Sequence, residues 1–194
     1  MGITVVGIAG SPRRHGNTEI LLDWSLAAAR EAGADAVKIR LRDLKFSGCI
    51  ACDACFDTGA CVVQDGMQEL YPHLRHADSI LLAAPIFSMG MVAQAKAMID
   101  RCQPFWAVKY VQRRSVAAPD RPERLGAFLC CSGTQMEHVF DGALQVVKYF
   151  WHVLEVRSAG ELLAPGVDRK GEVKTFPDAQ ERAEEIGRAV AAAR

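Results

Sequence analysis

Four cysteines crowd one short stretch of this chain: Cys49, Cys52, Cys55 and Cys61, spaced C-x2-C-x2-C-x5-C. Two successive two-residue gaps let one loop wrap three thiolates around a single centre, and the fourth arrives from a slightly longer reach. Soft thiolates suit Zn²⁺ or an iron-sulfur cluster. Structural zinc sites more often use two separated C-x2-C knuckles, so this compact run is nearer the ferredoxin type. Thiols without metal, open to oxidation, are the remaining reading. A second stretch, GIAGSPRRHGNT at 7–18, carries a different chemistry. Its loop amides and the positive end of a following helix would point at one place, as an anion cradle does. Ser11 and Thr18 bring hydroxyls, Asn17 an amide, and Arg13 or Arg14 a charge-assisted fork. A nucleotide triphosphatase loop would need Lys where Asn17 stands, and a dinucleotide loop would need Gly-x-Gly-x-x-Gly. A cradle for a terminal monophosphate remains, with an ordinary strand-to-helix turn as the plain alternative.

These residues need elements to hold them. The β-branched run at 3–6 predicts a first strand, and apolar residues at helical spacing over 19–30 predict the first helix. Alternation over 36–41 predicts a second strand, followed by an irregular cysteine-bearing insertion at 42–65. Asp65 is placed to cap a short helix at 67–76, with Leu70 and Leu74 facing inward. The continuous apolar run at 79–84 reads as a parallel strand covered on both faces. A loop at 85–90 and a helix at 91–102 follow. The polar, proline-punctuated stretch at 104–124, with Trp106 and Tyr110, reads as an insertion or lid. A fourth strand at 125–131, a turn at 132–134, a long helix at 137–154, a weaker strand at 156–163 and a closing helix at 178–193 complete the chain. Strand and helix alternate five times, which predicts one doubly wound α/β sheet in a single domain spanning 1–194. Ligands in such sheets sit beyond the carboxyl ends of the strands, so 11–18, 85–90 and 132–134 should meet there. Cys102, Cys130 and Cys131 lie in helix or strand settings and read as small core residues. His15, His73, His76, His138 and His152 are scattered, and no catalytic role is assigned to them.

Composition sets the outer bounds. The chain has 194 residues, half of them hydrophobic, with 23 Lys and Arg against 23 Asp and Glu. That is enough for a sizeable core, and the unclustered charge balance argues against nucleic acid as a partner. The longest apolar stretch, 80–92, is interrupted by Pro85, Ser88 and Gly90 and is too short to span a bilayer. No secretory signal is read at the start. The expectation is a cytoplasmic protein without a membrane partner, in which cysteines serve metal or redox chemistry rather than structural disulfides.

Together, GSPRRHGNTEILL, the cysteine run and APIFSMGMVAQAKAMIDR resemble the NADPH-dependent FMN reductase superfamily, most closely its iron-sulfur flavoproteins. The resemblance covers roughly residues 3–135 and keeps the family order. The first stretch is similar to the family's Ser-x-Arg-x-x-Gly-Asn-Thr loop, with Arg14 and His15 before the glycine. It implies a flavodoxin-like, five-stranded parallel sheet in the order 2-1-3-4-5. FMN would be held by Ser11, Arg13, Asn17 and Thr18 at its phosphate. Pro85, Ile86, Phe87, Ser88, Met89 and Gly90, with Ser132, Gly133 and Thr134, would hold its ring, Phe87 or Met89 serving as an apolar wall. The four cysteines would carry a [4Fe-4S] cluster, and Lys96, Asp100 and Arg101 would support the fold and subunit packing in a homodimer or homotetramer. The implied activity moves electrons between NAD(P)H or a ferredoxin-like carrier and a small acceptor. A non-enzymatic electron carrier, or a redox sensor working through the cluster or its thiols, is the alternative.

Overall fold

The computed structural model describes residues 2–117 and 123–193. The chain runs through β1 (Thr4–Ala9), α1 (Asn17–Glu31), β2 (Asp35–Arg40), a single turn α2 (Cys55–Thr58), α3 (Met67–His76) and β3 (Ser79–Ala83). A two-residue pair, β4 (Ile86–Phe87) and β5 (Gly90–Met91), precedes α4 (Ala93–Asp100) and the short α5 (Gln103–Trp106). Then come β6 (Arg124–Ser132), α6 (Asp141–Leu154), β7 (Val156–Pro165) and α7 (Ala179–Val190). Five strands form one parallel sheet in the order β2-β1-β3-β6-β7. Setting the antiparallel β4–β5 hairpin aside, this is the flavodoxin-like order that the resemblance implies.

Alternation along the buried strands divides the core in two, because successive side chains point to opposite faces. Val6, Ile8, Ile80, Leu82, Phe128 and Cys130 pack with α3, α4 and α6 on one face. Val5, Ala9, Leu81, Ala83, Leu129 and Cys131 pack with α1 and α7 on the other. Cys102, Cys130 and Cys131 are buried, as their settings predict, and burial raises all three thiols, Cys131 to about 12. No helix among the described residues is long and apolar enough to cross a membrane.

Three expectations need correction. The loop at 85–90 is a hairpin, and it delays the third helix to Ala93. Ser88 and Met89 both take positive φ, at 48° and 63°, which is the two-residue turn that suits strand twist. The long helix begins at Asp141 rather than 137, because His138 sits at φ 60° and breaks helical geometry before it. The expected lid at 104–124 is helical in its first half. α5 opens with a proline at its start, where a missing N–H costs nothing, and a π-helical turn continues it over Ala107–Val111. Pro104, Phe105, Ala107 and Val108 are buried, so this half packs as core; residues 118–122 of the expected lid lie outside the described residues.

Candidate functional site

At the carboxyl end of β1 the chain turns through 10–16 and enters α1. Gly10 stays bonded to β3 through its N–H on Ala83 O at 2.7 Å, and a Cβ there would sit 3.0 Å from Ala95 Cβ. The loop backbone therefore lies directly on α4, and a side chain at Gly10 would need its neighbours to give by a few tenths of an ångström. No side chain among the described residues caps α1 at Gly16, so the first-turn amides face the loop without an intrahelical partner. Ser11, Asn17 and Thr18 are all buried there. Ser11 Oγ accepts the Arg13 N–H at 3.1 Å, and a hydroxyl that accepts can still donate.

Beneath the loop lies Glu19, a carboxylate with no solvent exposure. It accepts from Arg40 Nε at 2.7 Å, Arg42 Nη1 at 2.9 Å and the His15 N–H at 2.8 Å, with Lys38 Nζ at 3.4 Å. Burial pushes its carboxyl up, but the bonds from Arg42, Arg40 and His15 together outweigh it and hold the group well below the usual carboxylate range. The His15 N–H bond fixes the one left-handed residue of this loop, at φ 51°. The loop's left-handed residue is thus pinned by a buried ion.

Three expected segments do converge. A small cavity of about 70 Å³ is lined by Ser11, Arg13, Asn17 and Thr18, by Pro85, Ile86 and Phe87, and by Gly133. Ser88, Met89, Gly90, Ser132 and Thr134 lie outside its lining. Ser132 is buried, with Oγ accepting the Thr134 N–H, while Phe87 is an exposed apolar side chain in the lining and Met89, two residues on in the hairpin turn, is exposed too. A fourth wall, absent from the sequence expectation, is the segment after β7. Val167 and Asp168 line the cavity, Arg13 Nη1 donates to Asp168 O at 2.7 Å, and Asn17 clasps the same segment. Its Nδ2 donates to Arg169 O at 2.9 Å, and its Oδ1 accepts from Gly171 N at 2.8 Å and Val173 N at 3.4 Å. A strongly turn-forming Gly166-Val-Asp168 after an apolar strand is the only local signal for that wall.

The cysteines form a second centre. Cys49, Cys52, Cys55 and Cys61 all line one larger cavity of about 400 Å³. Cys49 and Cys52 are exposed, Cys61 half-buried and Cys55 buried. Ala51 and Asp53 adopt positive φ, at 52° and 57°, between the cysteines. Such residues pay about 1–2 kcal/mol each for that conformation, and it turns the backbone tightly enough to bring the three sulfurs of one loop to one cavity. Among the described residues, no group of three His, Cys, Asp or Glu is arranged to hold a metal ion.

Arg101, the residue after α4, anchors this segment. Its guanidinium forks onto Asp65, with Nη1 to Oδ2 at 2.7 Å and Nη2 to Oδ1 at 3.1 Å. Nη1 also donates to Ser47 O at 3.0 Å, and Nη2 to Cys61 Sγ at 3.4 Å. Asp65 in turn accepts the Met67 N–H at 3.0 Å, which is the helix start expected of it. Burial pushes the Cys61 thiol up, but the Val63 N–H, the Tyr71 hydroxyl and Arg101 outweigh it and leave it lowered; burial raises Cys55. Trp106 and Tyr110 stand on this side of the molecule, Trp106 stacked between Phe56 and Tyr110.

A family profile described as NADPH-dependent FMN reductase matches residues 3–159. An iron-sulfur flavoprotein of Methanocaldococcus jannaschii is 38% identical over 100 residues, 52% of each chain. One of Archaeoglobus fulgidus is 40% identical over 106 residues, 55% of this chain and 54% of the relative. The chain thus spans about half the length of the curated relatives it matches. Among solved structures, the NAD(P)H:quinone oxidoreductase from Methanothermobacter marburgensis superposes with a TM-score of 0.68. It is 16% identical and the match covers 97% of this chain and 98% of that one, a likeness of fold.

Proposed function

The chain belongs to the NADPH-dependent FMN reductase family, and on that premise we propose that it is an FMN-dependent oxidoreductase with a [4Fe-4S] cluster on Cys49, Cys52, Cys55 and Cys61. The observation that carries this reading is the pair of cavities, one at an uncapped helix start and one ringed by four thiols. FMN fits the first. Ser11, Thr18 and the first-turn amides of α1 suit a terminal phosphate, and the exposed Phe87 and Met89 beside it suit a flat apolar ring. Arg13 lines the same cavity from its place on Asp168 O, and its other guanidinium N–H groups suit the same phosphate. A cluster fits the second. The compact run of four soft thiolates suits it, and N–H groups of Ala51 and Arg101 already donate to Cys49 and Cys61.

α4 joins the two. It begins against the phosphate loop at Ala95 and ends at Arg101 in the cysteine cavity, a helix of about 12 Å rise. A flavin accepts one or two electrons, so a one-electron centre at the other end of that helix suits exchange with a ferredoxin-like carrier, and NAD(P)H suits the flavin as a donor of pairs. A small molecule would take the electrons. The exposure of Cys49 and Cys52 and the lowered Cys61 favour one competing reading, a thiol-based redox sensor without turnover.

The visible spectrum of protein purified without oxygen, with iron and acid-labile sulfide counted on the same sample, tests both parts. Flavin bands over broad absorbance, with iron near four per chain, support the full reading. A yellow, iron-free protein that turns over NAD(P)H removes the cluster, and a colourless protein removes the flavin and the reading with it. Cys52→Ala is expected to abolish iron absorbance and leave flavin bound; iron that survives takes Cys52 out of the ligand set.

A further inference from the structure

Arg101 is a buried guanidinium, 2% exposed, and among the described residues the one cation in the lining of a cavity whose other residues are the four cysteines, apolar side chains, Gln103 and the carboxylates Asp53 and Asp100. Its four hydrogen bonds reach the cysteine-bearing segment from both ends, at Ser47 and at Cys61 and Asp65. Its Nε has no hydrogen-bond partner among the described residues, so the group is held in place by its two terminal nitrogens alone. A residue needed only to pin a loop would be satisfied by the Asp65 fork. The additional N–H directed at Cys61 Sγ is an electrostatic contact with the sulfur itself.

We propose that Arg101 and Asp65 act as an opposed pair that sets the reduction potential of the four-cysteine centre, Arg101 raising it and Asp65 lowering it. This rests on the cluster reading above. Four thiolates make the centre anionic, and adding an electron makes it more so. A buried positive charge donating to one of the sulfurs favours the added electron, since little solvent intervenes to screen it. Asp65 bonds both terminal nitrogens of the same guanidinium, Nη2 included, so it offsets part of that charge while orienting Nη2 toward the sulfur. Arg101 is then a positioning residue for the electron rather than a ligand.

The test is a spectroelectrochemical titration of the loaded protein, with iron counted and the flavin couple followed in the same samples. R101Q removes the charge and leaves Asp65 beside the cysteines; its centre should become harder to reduce by at least tenfold, about 59 mV for a one-electron couple. D65N keeps a helix-capping oxygen and removes the negative charge, so its potential should shift the opposite way. R101K keeps the charge and should stay nearer the wild type than R101Q. Opposite shifts in R101Q and D65N support the proposal. Shifts of one sign, or potentials unchanged in iron-loaded R101Q and D65N, overturn it and leave the cluster reading intact. If R101Q fails to hold iron, D65N decides, and a D65N potential that does not rise overturns the proposal. Wild-type protein without iron overturns the cluster reading, and this inference with it.

Discussion

The loop at 10–16 and the cysteine segment are held in opposite ways. The first is built from the centre of the sheet: β1 leads into it, Gly10 is bonded to β3, and a fully buried Glu19 pins its left-handed residue. The second hangs outside the sheet. Residues 47–53 are exposed, and the segment is tied down by side chains reaching in from three later elements: Gln68 on α3, Arg101 after α4, and Gln112 after the π-helical turn. A loop tied into the core is preformed for its ligand. A loop held by a few side chains owes more of its order to whatever the thiols bind. The two should therefore fail differently when an anchor is removed.

Glu19→Gln should have the largest effect. It breaks a buried ion cluster and leaves Arg40, Arg42 and Lys38 without their shared partner, at a cost of about 3 kcal/mol or more. Thermal unfolding should move down by roughly 6–12 °C for a chain of this size. The acid side of the stability curve changes too. The native Glu19 carboxyl lies below its unfolded value of about 4.3, so the unfolded state binds protons first. Its contribution is whole above that pH and is lost as the pH falls through the native value; Glu19→Gln should lack that part of the slope. A melting temperature unchanged by Glu19→Gln would mean that the loop is not tied to global stability.

Ser11→Ala sharpens the contrast at the ligand. It removes one hydroxyl beside the uncapped start of α1, and a lost bond to a charged phosphate costs about 1.5–3 kcal/mol. FMN should dissociate about ten- to a hundredfold more readily, with melting of the flavin-free protein near the wild type. An unchanged FMN affinity would move the phosphate elsewhere.

The same difference explains what the sequence revealed. A strand, a small-residue loop and a helix are local, so the loop at 10–16 and its flanking elements could be read from residues 3–30. The cysteines were legible by spacing, but their anchors were not, since Arg101 stands 40 residues from Cys61 and Gln112 56 residues from Phe56. Arg101 was visible only as a match to the family. The wall at Val167 and Asp168 escaped for the same reason, lying more than 150 residues from the Arg13 and Asn17 that hold it. The β4–β5 hairpin escaped differently. Its turn uses Ser88 and Met89 at positive φ, where Asn-Gly would have announced it.

The smallest effect is the most discriminating. Gln68 Nε2 donates to Cys61 O at 3.1 Å and to Val63 O at 2.7 Å, so one amide group fixes the approach of the fourth cysteine. Gln68→Ala should cost about 1 kcal/mol, felt almost wholly in this segment. Melting should fall by no more than about 2–4 °C, and FMN retention should not change. Hydrogen exchange at 61–63 and thiol labelling of Cys61 in the metal-free protein should both quicken, because local opening no longer has to break those two bonds. Loading the thiols should restore most of the lost protection, since a bound centre holds Cys61 from the other side. A Gln68→Ala protein that melts as low as Glu19→Gln would place the cysteine segment inside the cooperative core and erase the distinction between the two sites.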